Sequence, residues 1–240
     1  MLTLHNSVES FFQLNYSAHL SKITDVSKSN DGKFFVNSEV PAWDFDGITK
    51  KLFPKTQPSS TDCVLFSKNN IFFVEFKSGL EKLVDWSNYD SSKIQCQEIG
   101  DRPCAKFGNL LRQRDEYKEN MLQLNIQMKA SDSYKTFEKI IIPQMSQHPS
   151  KHVFKYHLHF ITVIDCKDIE NDICEDIMLQ MSDAKLIPKT NHITNIKSCL
   201  KRFARQDLWY DDIKVFGVQS FLDFLNATFP QNVTVTFQNN

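Results

Sequence analysis

The chain has 240 residues, of which 41% are hydrophobic and 24% charged, the proportions of a globular protein whose core does not depend on disulfides. Disordered, collagen-like and coiled-coil chains have other compositions, and six Gly and eight Pro are too few for a linker-rich one. With 28 Lys+Arg against 29 Asp+Glu the formal charge is -1, so a polyanionic partner would have to be met by local clusters of cations rather than by the overall field.

The longest apolar stretches, such as Ile71-Phe72-Phe73-Val74 and Ile140-Ile141-Ile142, fall far short of the roughly 20 residues of a membrane span, so a soluble protein with no membrane partner is expected. Met1 to Phe12 has no basic start followed by an apolar core and carries Glu9, which argues against an export signal. Cys63, Cys96, Cys104, Cys166, Cys174 and Cys199 form no C-x-x-C pair and have no matching His spacing. Zinc and a secreted disulfide framework are thereby disfavoured, and reduced thiols in a cytoplasm are expected. The Asn15, Asn226 and Asn232 glycosylation triplets then read as chance matches.

Residues 5–22 place Val8, Phe11, Phe12 and Ala18 at mostly helical spacing behind a possible Asn6 or Ser7 cap, predicting a first helix. Asn30-Asp31-Gly32 reads as a turn, Lys33 to Val40 as a strand, and Pro41 to Ser60, with three prolines, as an irregular connection. Asp62 to Phe66 and Ile71 to Lys77 are β-rich runs separated by the polar Ser67-Lys68-Asn69-Asn70, predicting a hairpin. Residues 80–105 carry no clear pattern, whereas Lys106 to Lys129 reads as a long helix. Val153 to Ile164 alternates, with Tyr156, Leu158, Phe160 and Thr162 on one face and Lys155, His157, His159 and Ile161 on the other, and reads as a strand. Asp168 to Met181 reads as helical. Beyond it the pattern predicts helix (192–205), strand (213–218), helix (220–227) and strand (233–237).

The chemistry concentrates in the hairpin. If Phe66 pairs with Ile71, paired residue numbers sum to 137 and Asp62 lies opposite Glu75. Opposed residues share a face of an antiparallel pair, as do residues two apart on one strand, so Asp62, Glu75 and Lys77 project together. The rest of the hairpin is almost wholly apolar, so these charges sit where burial is costly unless compensated. A divalent metal compensates two close carboxylates. Mg²⁺ takes a few hard oxygen ligands and keeps waters and room for a phosphate oxygen, and a neighbouring lysine can orient or deprotonate the attacking water. Such a set suits phosphodiester hydrolysis.

At these residues the sequence resembles the PD-(D/E)XK nuclease superfamily, whose signature is an acidic residue on one strand, here Asp62, and Glu-x-Lys on the next, here Glu75-Phe76-Lys77. The resemblance spans roughly residues 5–164. The family's proline before the aspartate is displaced, since Ser60-Thr61 precede Asp62 and the nearest proline is Pro58. The resemblance implies that Asp62, Glu75 and the Phe76 carbonyl bind Mg²⁺ or Mn²⁺, that Lys77 is the catalytic lysine, and that a first-helix glutamate, here Glu9, adds a ligand. Gln113 and Tyr117, four apart, look like the Gln-x-x-x-Tyr element of exonuclease-type members.

Other residues carry weaker signals. Arg114 and Lys118, and the stripe of Lys197, Lys201 and Arg205 joined by Arg202, are candidate phosphate contacts as well as ordinary solvated faces. Asp44 and Asp46 in Trp43-Asp44-Phe45-Asp46-Gly47 read as an Asp-Gly turn before an extra ligand site. His157 and His159 could approach a nucleic-acid backbone or the metal, although structural histidines are commoner and no zinc motif is formed. A Gly-rich phosphate loop is missing, which disfavours nucleotide hydrolysis.

The expected fold is α/β, a restriction-endonuclease-like core (1–184) with a central mixed sheet of about four or five strands flanked by helices, followed by a C-terminal α/β extension (185–240) packed on the same domain. The expected function is that of a Mg²⁺-dependent cytoplasmic nuclease, a DNA endonuclease before an exonuclease or an RNA-cutting enzyme, with a dimer or protein partner helping to hold substrate and a role in bacterial restriction or anti-phage defence. The alternative is a non-catalytic module that keeps the fold to bind nucleic acid or protein.

Overall fold

A meander of antiparallel strands runs into a parallel half within one six-stranded mixed sheet. The structure, a computed structural model, describes residues 8–28, 32, 34–78, 102–145, 156–165, 192–204 and 209–230. In chain order these are α1 (Val8–Asn15), β1 (Leu20–Lys22), α2 (Ile23–Val26), β2 (Pro41–Asp44), α3 (Phe45–Leu52), β3 (Cys63–Ser67), β4 (Asn70–Lys77), α4 (Arg102–Thr136), α5 (Ile142–Met145), β5 (His157–Ile164), α6 (His192–Leu200), β6 (Asp212–Gly217) and α7 (Val218–Thr228). The strands lie in sequence order: β1 to β4 pair antiparallel, and β5 and β6 continue parallel to β4. No helix among the described residues is long and apolar enough to cross a membrane.

The α/β class and the flanked mixed sheet agree with the sequence, but several elements differ. Helix α1 stops at Asn15, whose side chain donates to the Phe11 carbonyl; a polar amide that bonds its own backbone competes with helix continuation. A 3-10 turn, Ser17–His19, then leads into β1. Among the described residues, the strand expected over Lys33 to Val40 does not form. Its backbone is drawn instead to hydroxyls of and beside α2: Ser38 N–H donates to Thr24 Oγ1 and Val36 N–H to Ser27 Oγ. The expected irregular stretch from Pro41 holds β2 and α3 instead, with Pro41 at the first strand position, where its missing N–H costs least. Asp44 caps α3 by accepting the Gly47 N–H at 2.8 Å. A Cβ on Gly47 would collide with that carboxylate, so glycine is what allows the cap to close. The Asp-Gly turn expected there is therefore a helix N-cap.

The hairpin forms in the expected register, Phe66 opposite Ile71 and Cys63 opposite Val74, around a turn in which Lys68 takes φ 55. Helix α4 is longer than its apolar pattern indicated and passes through a π turn, Phe137–Ile141, into α5. The helix expected over 168–181, the strand expected over 233–237 and the candidate phosphate contact Arg205 lie outside the described residues.

Two apolar layers cover the sheet. One face, carrying Val64, Phe73, Phe160 and Ile213, packs against α1, α3, α4 and α6; the other, carrying Leu65, Phe72, Val74 and Ile161, packs against α7 and the Val36–Val40 segment. Phe73 is central to the first, its ring centroid 5.3 Å from Phe45, 5.4 Å from Phe137 and 5.9 Å from Tyr210. Edge-to-face pairs of this kind add roughly 0.5–1.5 kcal/mol each beyond burial. Along α4 and into the π turn the stripe Ile126, Ala130, Ser133 and Phe137 is buried at helical spacing, which fixes the rotation of that helix over β3 and β4.

Candidate metal and phosphate site

Asp62, Glu75 and Lys77 end up together because of the hairpin register. Extending it one pair beyond Cys63 and Val74 sets Asp62 against Glu75 on the face that also carries Val64 and Phe73, the face beneath α4. Glu75 and Lys77 occupy the C-terminal end of β4, next to Thr162 and Ile164 of the parallel β5. The carboxyl ends of parallel strands are where open α/β sheets gather ligands, because helices and loops diverge there.

The hydrogen bonding is specific. Asp62 Oδ2 accepts the Phe76 N–H at 2.7 Å, which fixes the carboxylate across the hairpin, while the Asp62 carbonyl accepts the Phe45 N–H at 3.1 Å. Glu75 is fully buried, and its Oε1 lies 2.7 Å from Lys77 Nζ. Lys77 Nζ also donates to Asn125 Oδ1 of α4 at 2.9 Å. A second lysine joins from the same helix: Lys129 Nζ is 3.2 Å from Asp62 Oδ1 and 2.7 and 2.8 Å from the two Glu75 oxygens. Ser133, one turn on, accepts the Thr61 N–H at 2.8 Å and so ties α4 to the residue preceding Asp62. Thr162, beside Glu75 in the sheet, is fully buried with an Oγ1 that has no hydrogen-bond partner among the described residues.

Burial pushes the Glu75 carboxyl up to about 7; the Asp62 charge adds to this, and the two lysines only partly oppose it. Burial works to lower the Lys129 ammonium, but the charges and hydrogen bonds of Glu75 and Asp62 outweigh it, so its pKa lies above the ordinary lysine value. Two carboxylates and two ammonium groups balance formally. Asp62 borders an open cleft of about 440 Å³ that His19, Asp25, Asp44 and Asp46 also line. So acidic a cleft repels a polyanion unless cations accompany it.

The remaining sequence candidates are placed elsewhere. Glu9 is exposed on α1 by surface area, although neighbouring atoms partly desolvate its carboxyl and raise its pKa, and among the described residues no hydrogen bond or ion pair joins it to Asp62 or Glu75. Gln113 and Tyr117 are exposed on the N-terminal half of α4, Tyr117 at 64%, three and two turns before Asn125. Arg114 and Lys118 are exposed as well, each with an interaction partner within the chain. Lys197 and Lys201 are exposed, but the stripe does not continue as one helix: α6 ends at Leu200 and a 3-10 turn, Lys201–Phe203, buries Phe203. Arg202 bonds Gln127 of α4. Asp46 is held by Lys50, Gln57 and Ser60. The Phe76 side chain turns to the other face of the sheet, against Phe35 and Phe221, leaving its main chain at the site.

His157 and His159 do not approach the carboxylates. His159 is level with Phe72, stacks on its ring and bonds Asn70, on the opposite face and toward the opposite end of the strand from Glu75. His157 pairs with Asp211 at 3.4 Å.

Lys129, Asn125, Ser133 and Thr162 were not singled out by the sequence. The signal for the three helix residues is spacing: 125, 129 and 133 are polar at four-residue intervals beside the apolar 126, 130 and 137, a polar stripe along the edge of a buried helix face.

The donor chemistry of the carboxylate pair bears on the kind of cation it could take. Among the described residues no three of His, Cys, Asp and Glu gather to hold a metal. Two carboxylates fit an ion that keeps waters and binds substrate oxygens, as Mg²⁺ does, better than one needing a full protein cage. Comparison with family models, with curated proteins and with solved structures finds no match for the chain.

Proposed function

We propose that the protein is a divalent-metal-dependent nuclease of the PD-(D/E)XK type, with a restriction-endonuclease-like core, that hydrolyses phosphodiester bonds in DNA. One observation carries the reading: a single cation, the Lys129 ammonium, already reaches both Asp62, at 3.2 Å, and Glu75, at 2.7 Å, with a second lysine at the same glutamate. The two carboxylates can therefore share one positive ion.

In this scheme Asp62, Glu75 and the Phe76 carbonyl hold Mg²⁺ or Mn²⁺. When bound, the metal supplies a Lewis acid at the scissile phosphate and a more acidic water. The Phe76 N–H keeps Asp62 turned into the site, and Asn125 holds the Lys77 ammonium at the edge of Glu75. Lys77 there orients the attacking water and offsets charge that builds on the phosphate. Lys197 and Lys201 supply cations for the backbone of bound DNA, and a dimer or protein partner supplements a chain whose net charge is only -1. A nuclease of this kind fits restriction or anti-phage defence in a cytoplasm.

The formal charge balance of Asp62 and Glu75 with Lys77 and Lys129 favours a second reading, a salt-bridged cluster in a non-catalytic module that binds nucleic acid or protein. Incubating the protein with supercoiled plasmid, linear duplex, single-stranded DNA and RNA, each with Mg²⁺, Mn²⁺ or EDTA, separates the two. Metal-dependent cleavage supports the nuclease and identifies its substrate. Binding without cleavage under every metal supports the module.

A further inference from the structure

Lys129 approaches the three carboxylate oxygens at 2.7, 2.8 and 3.2 Å, and its side chain is 19% exposed. We propose that Lys129 is a built-in competitor for the divalent metal: the carboxylate pair holds either its ammonium or the metal ion, and arrival of the ion releases the ammonium toward the substrate phosphate. This rests on the metal-nuclease reading above.

Space and charge both force the exchange. Mg²⁺ binds carboxylate oxygens at about 2.0–2.1 Å, so an ion shared by Asp62 and Glu75 would sit close to where Lys129 Nζ now lies. Two cations cannot occupy that place in a poorly solvated site without strong repulsion. Lys77 is held differently. It reaches only Oε1 of Glu75 and is anchored at its other side by Asn125, so it can stay when Lys129 leaves. Asp62 keeps its orientation too, because Oδ2 is fixed by the Phe76 N–H and only Oδ1 faces Lys129. Lys129 is attached by a flexible four-carbon stem to a helix tied down at Ser133 and Ala130, which accept from Thr61 N–H and Tyr210 Oη, so the ammonium can swing while its helix stays.

Charge gives the swap its purpose. Without metal the four groups sum to zero; with a divalent ion they sum to a surplus of two positive charges, which a phosphodiester backbone matches. Metal and nucleic acid thus bind more favourably together than the metal does alone.

Mn²⁺ alone is the probe, titrated into the full chain at mildly alkaline pH and followed by calorimetry and by loss of the free-ion spin signal. Lys129→Met keeps the stem and removes the charge, and Lys129→Gln serves if the first variant folds poorly. The expected result is Mn²⁺ binding tighter by about tenfold or more than in wild type, the scale of one strong charge-assisted contact. In the wild-type chain, saturating Mn²⁺ should also raise acylation of Lys129 relative to Lys77, read by peptide mass spectrometry. Equal or weaker binding by both variants, with wild type still binding, overturns the competition and leaves the metal site standing. Absence of binding in wild type and in both variants overturns the metal reading, and the competition with it. Binding by the variants alone supports the competition.

Discussion

Glu75→Gln isolates the cost of burying the site's central charge. Glu75 is fully buried and its carboxyl is pushed from the ordinary 4.5 to about 7, chiefly by burial. The folded chain therefore holds this proton more tightly than the unfolded chain. The stability that follows is fully present below about pH 4.5 and is lost as pH rises through about 7. At about 1.4 kcal/mol per pKa unit, the loss is on the order of 3 kcal/mol, a large part of the 5–15 kcal/mol that holds a typical domain. Glutamine has the same shape and cannot ionise. Urea unfolding of both chains in EDTA, from pH 4 to pH 8, should show wild type losing about 3 kcal/mol relative to the variant across that range. Saturating Mg²⁺ should remove most of the loss, because a bound cation stabilises the ionised carboxylate. A wild-type-to-variant difference that stays constant with pH in EDTA would refute the reasoning.

Ser133→Ala removes the acceptor for the Thr61 N–H and should cost about 1–3 kcal/mol of stability by chemical denaturation, while slowing cleavage less than loss of Lys77 does. Gln113→Ala combined with Tyr117→Ala should change the cleavage rate less than threefold, since both side chains are exposed away from the carboxylates; a hundredfold loss would restore them to the site. Lys197→Ala with Lys201→Ala should weaken DNA binding and lower the slope of log affinity against log salt by about one for each phosphate these lysines neutralise, measured by fluorescence anisotropy; an unchanged slope would remove them from the interface.

What the sequence made legible is what depends on short-range pairing. The hairpin register follows from a short polar turn between two apolar runs, and it alone places Asp62 opposite Glu75 and Lys77 on the same face. The alternation of Tyr156, Leu158, Phe160 and Thr162 likewise assigns the faces of β5. Lys129 and Asn125 were hidden because their meeting with the hairpin depends on how α4 lies over the sheet, 54 residues away from Glu75 in the case of Lys129, and a lysine on a helix ordinarily reads as solvated. Strand β2 was hidden by its brevity and by Pro41, which looked like a breaker and is tolerated at the strand's first position. The strand expected after Lys33 failed for the opposite reason. Its apolar residues Val36 and Val40 are buried as a strand's would be, but its backbone bonds piecemeal to the hydroxyls of Thr24 and Ser27 and to the main chain of Ile23, Thr24 and Ser27 rather than along one neighbouring strand.

The most direct test of the central claim is the initial rate of plasmid nicking in Mg²⁺ by wild type beside Asp62→Ala and Lys77→Ala, with EDTA as the blank. A metal-dependent nuclease built on these residues should cut as wild type, stop in EDTA, and slow by about a hundredfold or more in each variant, the scale for removing one preorganised electrostatic group. Cleavage that survives in both variants, or a wild-type chain that does not cut while neither it nor the Lys129 variants bind Mn²⁺, would contradict it.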